Sequence, residues 1–346
     1  MNKAERQQKI IQLIEQSNGK QMLGTRELAE LFNVSEMTIR RDFQDLSLDG
    51  LLRRQHGGAS LAHQFSNTPS REIGIVLESR KAKFSDPFFN AVLEGVDHKL
   101  QELGYHIAYI NTGAQVITTE QARALLKSSN ASGIIVVGPP LGTESMEYLR
   151  ANVPAFVSIV ESLRSEHDAI TFDGYGGIRK MVDHLVELGY RRLGFITGRS
   201  EPRHLGYLDG VKAHGLPADE SLSIIVPFTV NGWTPDLGHV GAEHLMGLAE
   251  PPDAIICASD LIAIGAIQWL HQHNIRVPDD IAVTGFDNIT ESAFTAPSLT
   301  TVHVHKQLMG ELAAERVVKR IENANEVPLF IQTPTHLVIR QSCGSR

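Results

Sequence analysis

From residue 72 onward, short unbroken apolar runs alternate with stretches of helical periodicity, and this alternation constrains the fold more than any other feature of the chain. Residues 73–77, 106–110, 133–137, 192–196, 253–257 and 280–284 are apolar runs of strand length. Helical patterns separate them, over 87–103 and near 119–127. A strand that is apolar on both faces must be covered on both faces. Strands joined through helices therefore predict an α/β domain with parallel, doubly wound sheets. Residues 72–346 exceed what one hydrophobic core comfortably serves, so two such sheets, and two lobes, are expected.

Open sheets of this kind bind ligands beyond the carboxyl ends of their strands. The residues found there are informative. Asp86-Pro-Phe88-Phe89 follows the first run, Arg203-His-Leu-Gly-Tyr follows Phe195-Ile-Thr-Gly, and Ser259-Asp260 follows Cys257. Asp287-Asn288 follows Gly285-Phe286, and Trp233 precedes a helical stretch. Carboxylates and an arginine can exchange hydrogen bonds with hydroxyls while aromatic faces cover C–H patches, a combination suited to a sugar or a nucleoside. Taken singly, each has a plainer reading. Phe88 and Phe89 fit a core, and Asp260 and Asp287 fit helix N-caps. Their common placement at strand ends favours the ligand site.

The first sixty residues have a different rhythm. Apolar Ile10, Ile11, Leu13 and Ile14 stripe a helix over residues 5–16, which Asn18-Gly19 stops. Thr25 is placed to cap a second helix over 26–32, Asn33-Val34 turns the chain, and Ser35 is placed to cap a third helix running from Glu36. Ile39, Phe43 and Leu46, spaced four and three apart, face inward, so Thr38, Arg40 and Arg41 lie off the core. Two arginines at the front of a short exposed helix suit phosphates and base edges in a major groove, although they equally suit a solvated helix surface. The weak alternation of residues 51–59 around Gly57-Gly58 predicts a short hairpin. That makes the segment a winged helix-turn-helix, with Arg53, Arg54 and His56 as wing groups near the DNA backbone.

The run from Glu27 through Leu-Ala-Glu-Leu-Phe-Asn-Val-Ser-Glu-Met-Thr-Ile-Arg-Arg-Asp, with Gly50-Leu-Leu-Arg-Arg and His56-Gly-Gly-Ala behind it, closely resembles the DeoR-type winged-helix family. By that resemblance Thr25, Ser35, Glu36, Thr38, Arg40 and Arg41, with Arg53, Arg54 and His56, are the DNA-contact candidates. The likeness covers about the first sixty residues. Farther on, Asp86-Pro-Phe-Phe, Arg203-x-x-Gly-Tyr, the run Ala258-Ser-Asp-Leu-Ile-Ala, residues 275–288 and Pro297-Ser-Leu-Thr-Thr-Val resemble the effector domain of LacI/GalR regulators, itself similar to periplasmic sugar-binding proteins. That likeness implies an interlobe cleft lined by Phe88, Phe89, Arg203, Trp233 and Asp287, with Asp86 and Asp260 at positions used for sugar hydroxyls. It also implies a homodimer formed through the large domain. LacI/GalR regulators carry their own helix-turn-helix and a hinge helix, and DeoR regulators usually carry a sugar-phosphate sensor; this chain departs from both.

The expected organisation is a DNA-binding domain over residues 1–59, a linker over 60–71 (polar, aperiodic, with Pro69), and an effector-binding and dimerisation domain over 72–346. Charge agrees with it. The net charge of –8 is carried by the large domain, because residues 1–70 hold nine Lys/Arg against eight Asp/Glu and the remainder 23 against 32. Two cysteines, one of them (Cys257) in an apolar run, give no disulfide framework, and no apolar stretch suits a secretion signal or a membrane span. A cytoplasmic protein follows. No metal-protease, P-loop or nucleophile-elbow motif is present, so no catalytic residue, cofactor or metal is expected. His303-Val-His305 puts two imidazoles on one strand face, too few for a metal without a third ligand. The expected function is therefore a transcription regulator, read as a repressor, whose operator affinity is set by a small polar effector, a sugar foremost. The alternatives are a sugar-binding protein, or a regulator answering to a nucleobase, nucleoside or sugar phosphate. Without a Lys/Arg cluster near the cleft, a neutral sugar is preferred to a sugar phosphate.

Overall fold

A computed structural model describes residues 3–16, 24–48, 52–55, 58–61, 70–77, 84, 86–138, 143–159, 167–217, 219–227, 232–323 and 325–344. The chain divides into two compact units, Met1–Arg71 and Glu72–Arg346.

The first unit holds α1 (Lys3–Gln16), α2 (Thr25–Phe32), α3 (Glu36–Leu48) and the strands β1 (Leu52–Gln55) and β2 (Gly58–Leu61). Ile10 of α1, Leu28 of α2 and Ile39, Phe43 and Leu46 of α3 close its small core. The turn between α2 and α3 uses Asn33 at φ 51°, a left-handed conformation that asparagine tolerates better than most residues. Strands β1 and β2 pair antiparallel, Leu52 opposite Leu61 and Gln55 opposite Gly58. The hairpin thus runs two residues past the expected end of the head. The rest of the expected linker, residues 62–69, lies outside the described residues.

The second unit is built from two parallel sheets. Its elements are β3 (Glu72–Leu77), α4 (Pro87–Glu102), β4 (His106–Thr112), α5 (Thr119–Ser128), β5 (Gly133–Val137), α6 (Thr143–Asn152), β6 (Ala155–Ile159), β7 (Asp168–Phe172), α7 (Gly174–Glu187), β8 (Leu193–Thr197), α8 (Pro202–Ala213), β9 (Ser223–Ile225), α9 (Pro235–Met246), β10 (Ala254–Cys257), α10 (Asp260–Gln272), β11 (Ala282–Thr284), β12 (Thr301–Val304), α11 (Lys306–Glu322), β13 (Phe330–Thr333) and β14 (Thr335–Val338). One sheet has the order β13-β7-β6-β5-β3-β4, the other β11-β10-β8-β9, and every pairing within them is parallel.

Each sheet buries both faces. On β5, Ile135 and Val137 join the core under α4 and α11, while Ile134 and Val136 pack on the opposite side with Ala122 and Leu149. That alternation explains why the strand reads as an unbroken apolar run. Helices α4 and α11 approach so closely that a methyl group on Gly95 would run into the Gln307 carbonyl, and one on Gly310 into that of Val92. The chain passes between the lobes three times: from β7 into α7, from β11 through β12 into α11, and from β13 into β14. Strands β12 and β14 pair antiparallel beside these passages.

A cleft between the two lobes and a candidate DNA-reading helix

The first lobe contributes one wall of a concave cavity, the kind of feature in which small-molecule sites are found. Asp86 sits at the N-cap of α4, its Oδ1 accepting the Phe88 N–H at 2.9 Å, and this fixes the direction in which Phe88 and Phe89 leave the helix. Phe88 meets Phe172, at the end of β7, edge to face at 6.1 Å. Burial raises the Asp86 carboxyl to a pKa of about 6, against the opposing pull of the Phe88 and Phe89 N–H groups.

The second lobe brings Arg199, Arg203, Trp233, Ser259 and Leu261. Arg203 is buried, its guanidinium lying 4.6 Å from the Trp233 ring centre and 5.1 Å from that of Phe286. Its Nε and Nη2 donate to the two oxygens of Glu201 at 2.6 and 2.8 Å, and its Nη1 donates to the Ala258 carbonyl. Asp287 enters from the crossover after β11 with φ 106°, its Oδ1 4.0 Å from Arg203 Nη1. Burial holds the Asp287 carboxyl well above the usual range, opposed first by Arg203. Lys306, at the start of α11, donates to the carbonyls of Asp287 and Asn288 from beneath.

Six of the seven residues picked out from sequence line this one cavity: Asp86, Phe88, Phe89, Arg203, Trp233 and Asp287. Asp260 does not. It is the first residue of α10, completely buried, and its carboxylate is consumed by the Thr301 hydroxyl and the Ile289 N–H. Its placement as a ligand contact is therefore corrected: Asp260 braces the crossover behind the cleft. Neither Asp260 nor Asp287 is the N-cap of its segment; Ser259 caps α10, accepting the Ile262 N–H at 3.3 Å. Sequence reasoning missed Glu201, Arg199 and Phe172. The first two follow β8 at its carboxyl end, where the strand-end rule should have caught them. Phe172 ends a strand that was not recognised.

His303 and His305 gain a neighbour in His336, which lies opposite His303 in the β12–β14 pair. The ring centres are 4.8 to 5.5 Å apart. Even so, no group of three or more His, Cys, Asp or Glu among the described residues is arranged to hold a metal ion.

In the head, Ser35 Oγ accepts the Thr38 N–H at 3.1 Å and lies 2.8 Å from Thr38 Oγ1, which closes the first turn of α3. Glu36, Arg40 and Arg41 are exposed, with Arg40 3.9 Å from Glu36, and Met37 is exposed among them. Thr25 is not a cap. Gly24 takes that place, its N–H donating to Glu27 Oε2 at 3.2 Å, so the helix starts one residue earlier than expected. Asp42, on the inner side of α3, is buried against Arg6 of α1, with Nε at 2.6 Å and Nη2 at 3.2 Å. Of the wing, Arg53 and Arg54 lie on β1 opposite Ser60 and Ala59, and His56 lies outside the described residues.

A family described as the DeoR-like helix-turn-helix domain matches residues 6–65, and one described as the periplasmic binding protein-like domain matches residues 182–343. The regulator CelR of Thermobifida fusca is 29% identical over 277 residues, 78% of this chain and 79% of CelR. The repressor PurR of Actinobacillus pleuropneumoniae is 25% identical over 339 residues, 93% of this chain and 98% of PurR. Among solved structures, a complex of the transcriptional regulator CelR with cellobiose matches at a TM-score of 0.71 and 25% identity, covering 89% of this chain and 90% of that one. A transcriptional regulator LacI from Bacillus cereus subsp. cytotoxis also matches at 0.71, with 27% identity over 80% of this chain and 99% of that one. Two parallel sheets flanking a cleft, together with a helix-turn-helix head, define a DNA-binding transcription regulator with an effector-binding domain. The chain resembles LacI/GalR-family regulators over most of its length, and its head matches the DeoR-like helix-turn-helix domain.

Proposed function

We propose that this regulator binds its operator as a homodimer in the cytoplasm, and that a small carbohydrate in the interlobe cleft sets its operator affinity, with repression as the basal state. The observation that carries the reading is the composition of the cleft: Asp86, Asp287 and Arg203 face a cavity that Phe88, Phe172 and Trp233 help to wall. Ring hydroxyls would exchange hydrogen bonds with the charged groups while the aromatic faces cover the C–H surface. The cellobiose carried by the CelR complex supports a sugar in a fold of this kind. Closure of the lobes around the ligand would change the equilibrium between two arrangements of the dimer.

Under this proposal residues 1–59 read DNA through Ser35, Glu36, Thr38, Arg40 and Arg41, with Thr25, Arg53, Arg54 and His56 in support. Residues 60–71 join this head to the effector and dimerisation domain, 72–346. The protein acts by binding and not by turnover. A thermal-shift panel of sugars, sugar phosphates and nucleosides on the full-length protein tests the reading, because a ligand that binds only the folded state raises its midpoint by mass action. A sugar that raises the midpoint and alters affinity for a selected operator supports it. Stabilisation by nucleosides alone moves the effector class to nucleobases, and release of a chemically altered sugar would make the protein an enzyme.

A further inference from the structure

We propose that Glu201 is a charge filter: by matching the charge of Arg203 it restricts the cleft to uncharged hydroxyl-bearing ligands and excludes their phosphorylated forms. The proposal rests on the cleft being the effector site and adds the residue that sets its selectivity. Glu201 occupies the N-cap position of α8, ahead of Pro202, in an extended conformation with φ –159°. The shorter carboxylate of an aspartate there would accept the N–H groups of the first helical turn, whereas a glutamate has the reach to turn elsewhere. Glu201 makes no such bond. Both its oxygens turn to Arg203, in a fork with Nε at 2.6 Å and Nη2 at 2.8 Å, while Arg199 Nε stands 3.6 Å from Oε2. The two side chains of the fork are only 3% and 4% exposed, so water does little to weaken the pairing.

An isolated guanidinium in a cleft of low dielectric would draw in any anion. Around the cavity and directly behind it, Arg199, Arg203 and Lys306 stand against Asp86, Asp260, Asp287 and Glu201. A phosphate would have to displace a buried, bidentate carboxylate while facing two others. A hydroxyl needs only a donor or an acceptor, which the matched pair and Asp287 still offer.

The test titrates inorganic phosphate at pH 7.5 into full-length protein carrying Trp269→Phe, so that Trp233, stacked on Arg203, supplies the fluorescence signal. Glu201→Gln should gain saturable phosphate binding at least tenfold tighter than the Glu201 protein, and Glu201→Asp, which keeps the charge, should gain none. Equal phosphate binding with and without the carboxylate, or no gain in Glu201→Gln, overturns the proposal. If Glu201→Gln does not fold, the Glu201 protein decides. Saturable phosphate binding there, or binding of ribose 5-phosphate or glucose 6-phosphate as tight as that of ribose or glucose, overturns the filter. Absence of a phosphate signal supports it. A gain of phosphate binding in Glu201→Gln, with no uncharged sugar shifting the Glu201 protein, would keep the filter and discard the sugar reading.

Discussion

Asn288 Nδ2 lies 2.9 Å from His303 Nδ1, which ties the residue next to the cleft aspartate to a strand that passes between the lobes. The amide orientation follows from its other end, where Asn288 Oδ1 accepts from Arg340 Nη2 at 2.7 Å. The amide nitrogen must then donate, so His303 Nδ1 is the unprotonated nitrogen of a neutral ring. Burial, followed by the positive charge of Lys306 and the neighbouring His305 and His336, lowers the His303 pKa to about 4.

This relationship makes stability fall with acid. Between an unfolded pKa near 6.5 and a folded value of about 4, only the unfolded chain takes up the proton on His303, so stability is lost as pH drops through that window. Asp86 acts in the opposite sense, its raised pKa of about 6 costing stability as pH rises from the unfolded carboxylate range. The test is therefore a difference. Thermal midpoints of the full-length protein at pH 7.5 and 4.5 should converge in His303→Gln relative to the unsubstituted protein; an unchanged difference would contradict the assignment.

Arg40→Ala and Arg41→Ala should each weaken binding to a duplex selected by the unsubstituted protein from a random pool. A lost base-edge contact costs about 1–3 kcal/mol, and a lost phosphate contact lowers the slope of affinity against salt by about one. Anisotropy titrations at several salt concentrations separate the two. Unchanged affinity in both variants would remove α3 as the reading helix.

Asp42→Ala should abolish DNA binding although Asp42 faces inward. It strands Arg6 without its carboxylate in a site where the two side chains are only 2% and 10% exposed, a loss of about 3–5 kcal/mol. Circular dichroism should show the head melting early while ligand stabilisation of the large domain persists. A single unchanged transition would mean that the pair contributes little.

Asp287→Asn is the informative change in the cleft, because asparagine tolerates the φ of 106° better than alanine. Loss of a charged hydrogen bond of about 1.5–3 kcal/mol should weaken the effector tenfold or more with operator affinity unchanged. A normal effector response would take Asp287 out of the binding set.

Much of this was legible in the residue order because it is local. The face that α3 buries, its Ser35 cap and the doubly buried strands follow from periodicity and from side chains within a few positions of one another. Edge pieces were harder to read. Strands β13 (Phe-Ile-Gln-Thr) and β14 (Thr-His-Leu-Val) mix polar residues into four positions and so show no continuous apolar run, and Phe172 escaped notice because β7 was not recognised.

Residue order alone was enough for the two kinds of domain, the exposed face of α3 and the six residues that meet in the cleft, since each is written in short-range pattern and residue chemistry. Tertiary structure alone decided what those side chains do once assembled. Asp260 is withdrawn from the cleft because Thr301 reaches it from 41 positions away, and His336 faces His303 only through the register of two strands. Glu201 and Arg203 are near neighbours in the chain, but whether that carboxylate capped its helix or neutralised the arginine depended on burial against Trp233 and Phe286. Desolvation, which no local pattern encodes, made the buried ion pair the stronger claim on its oxygens.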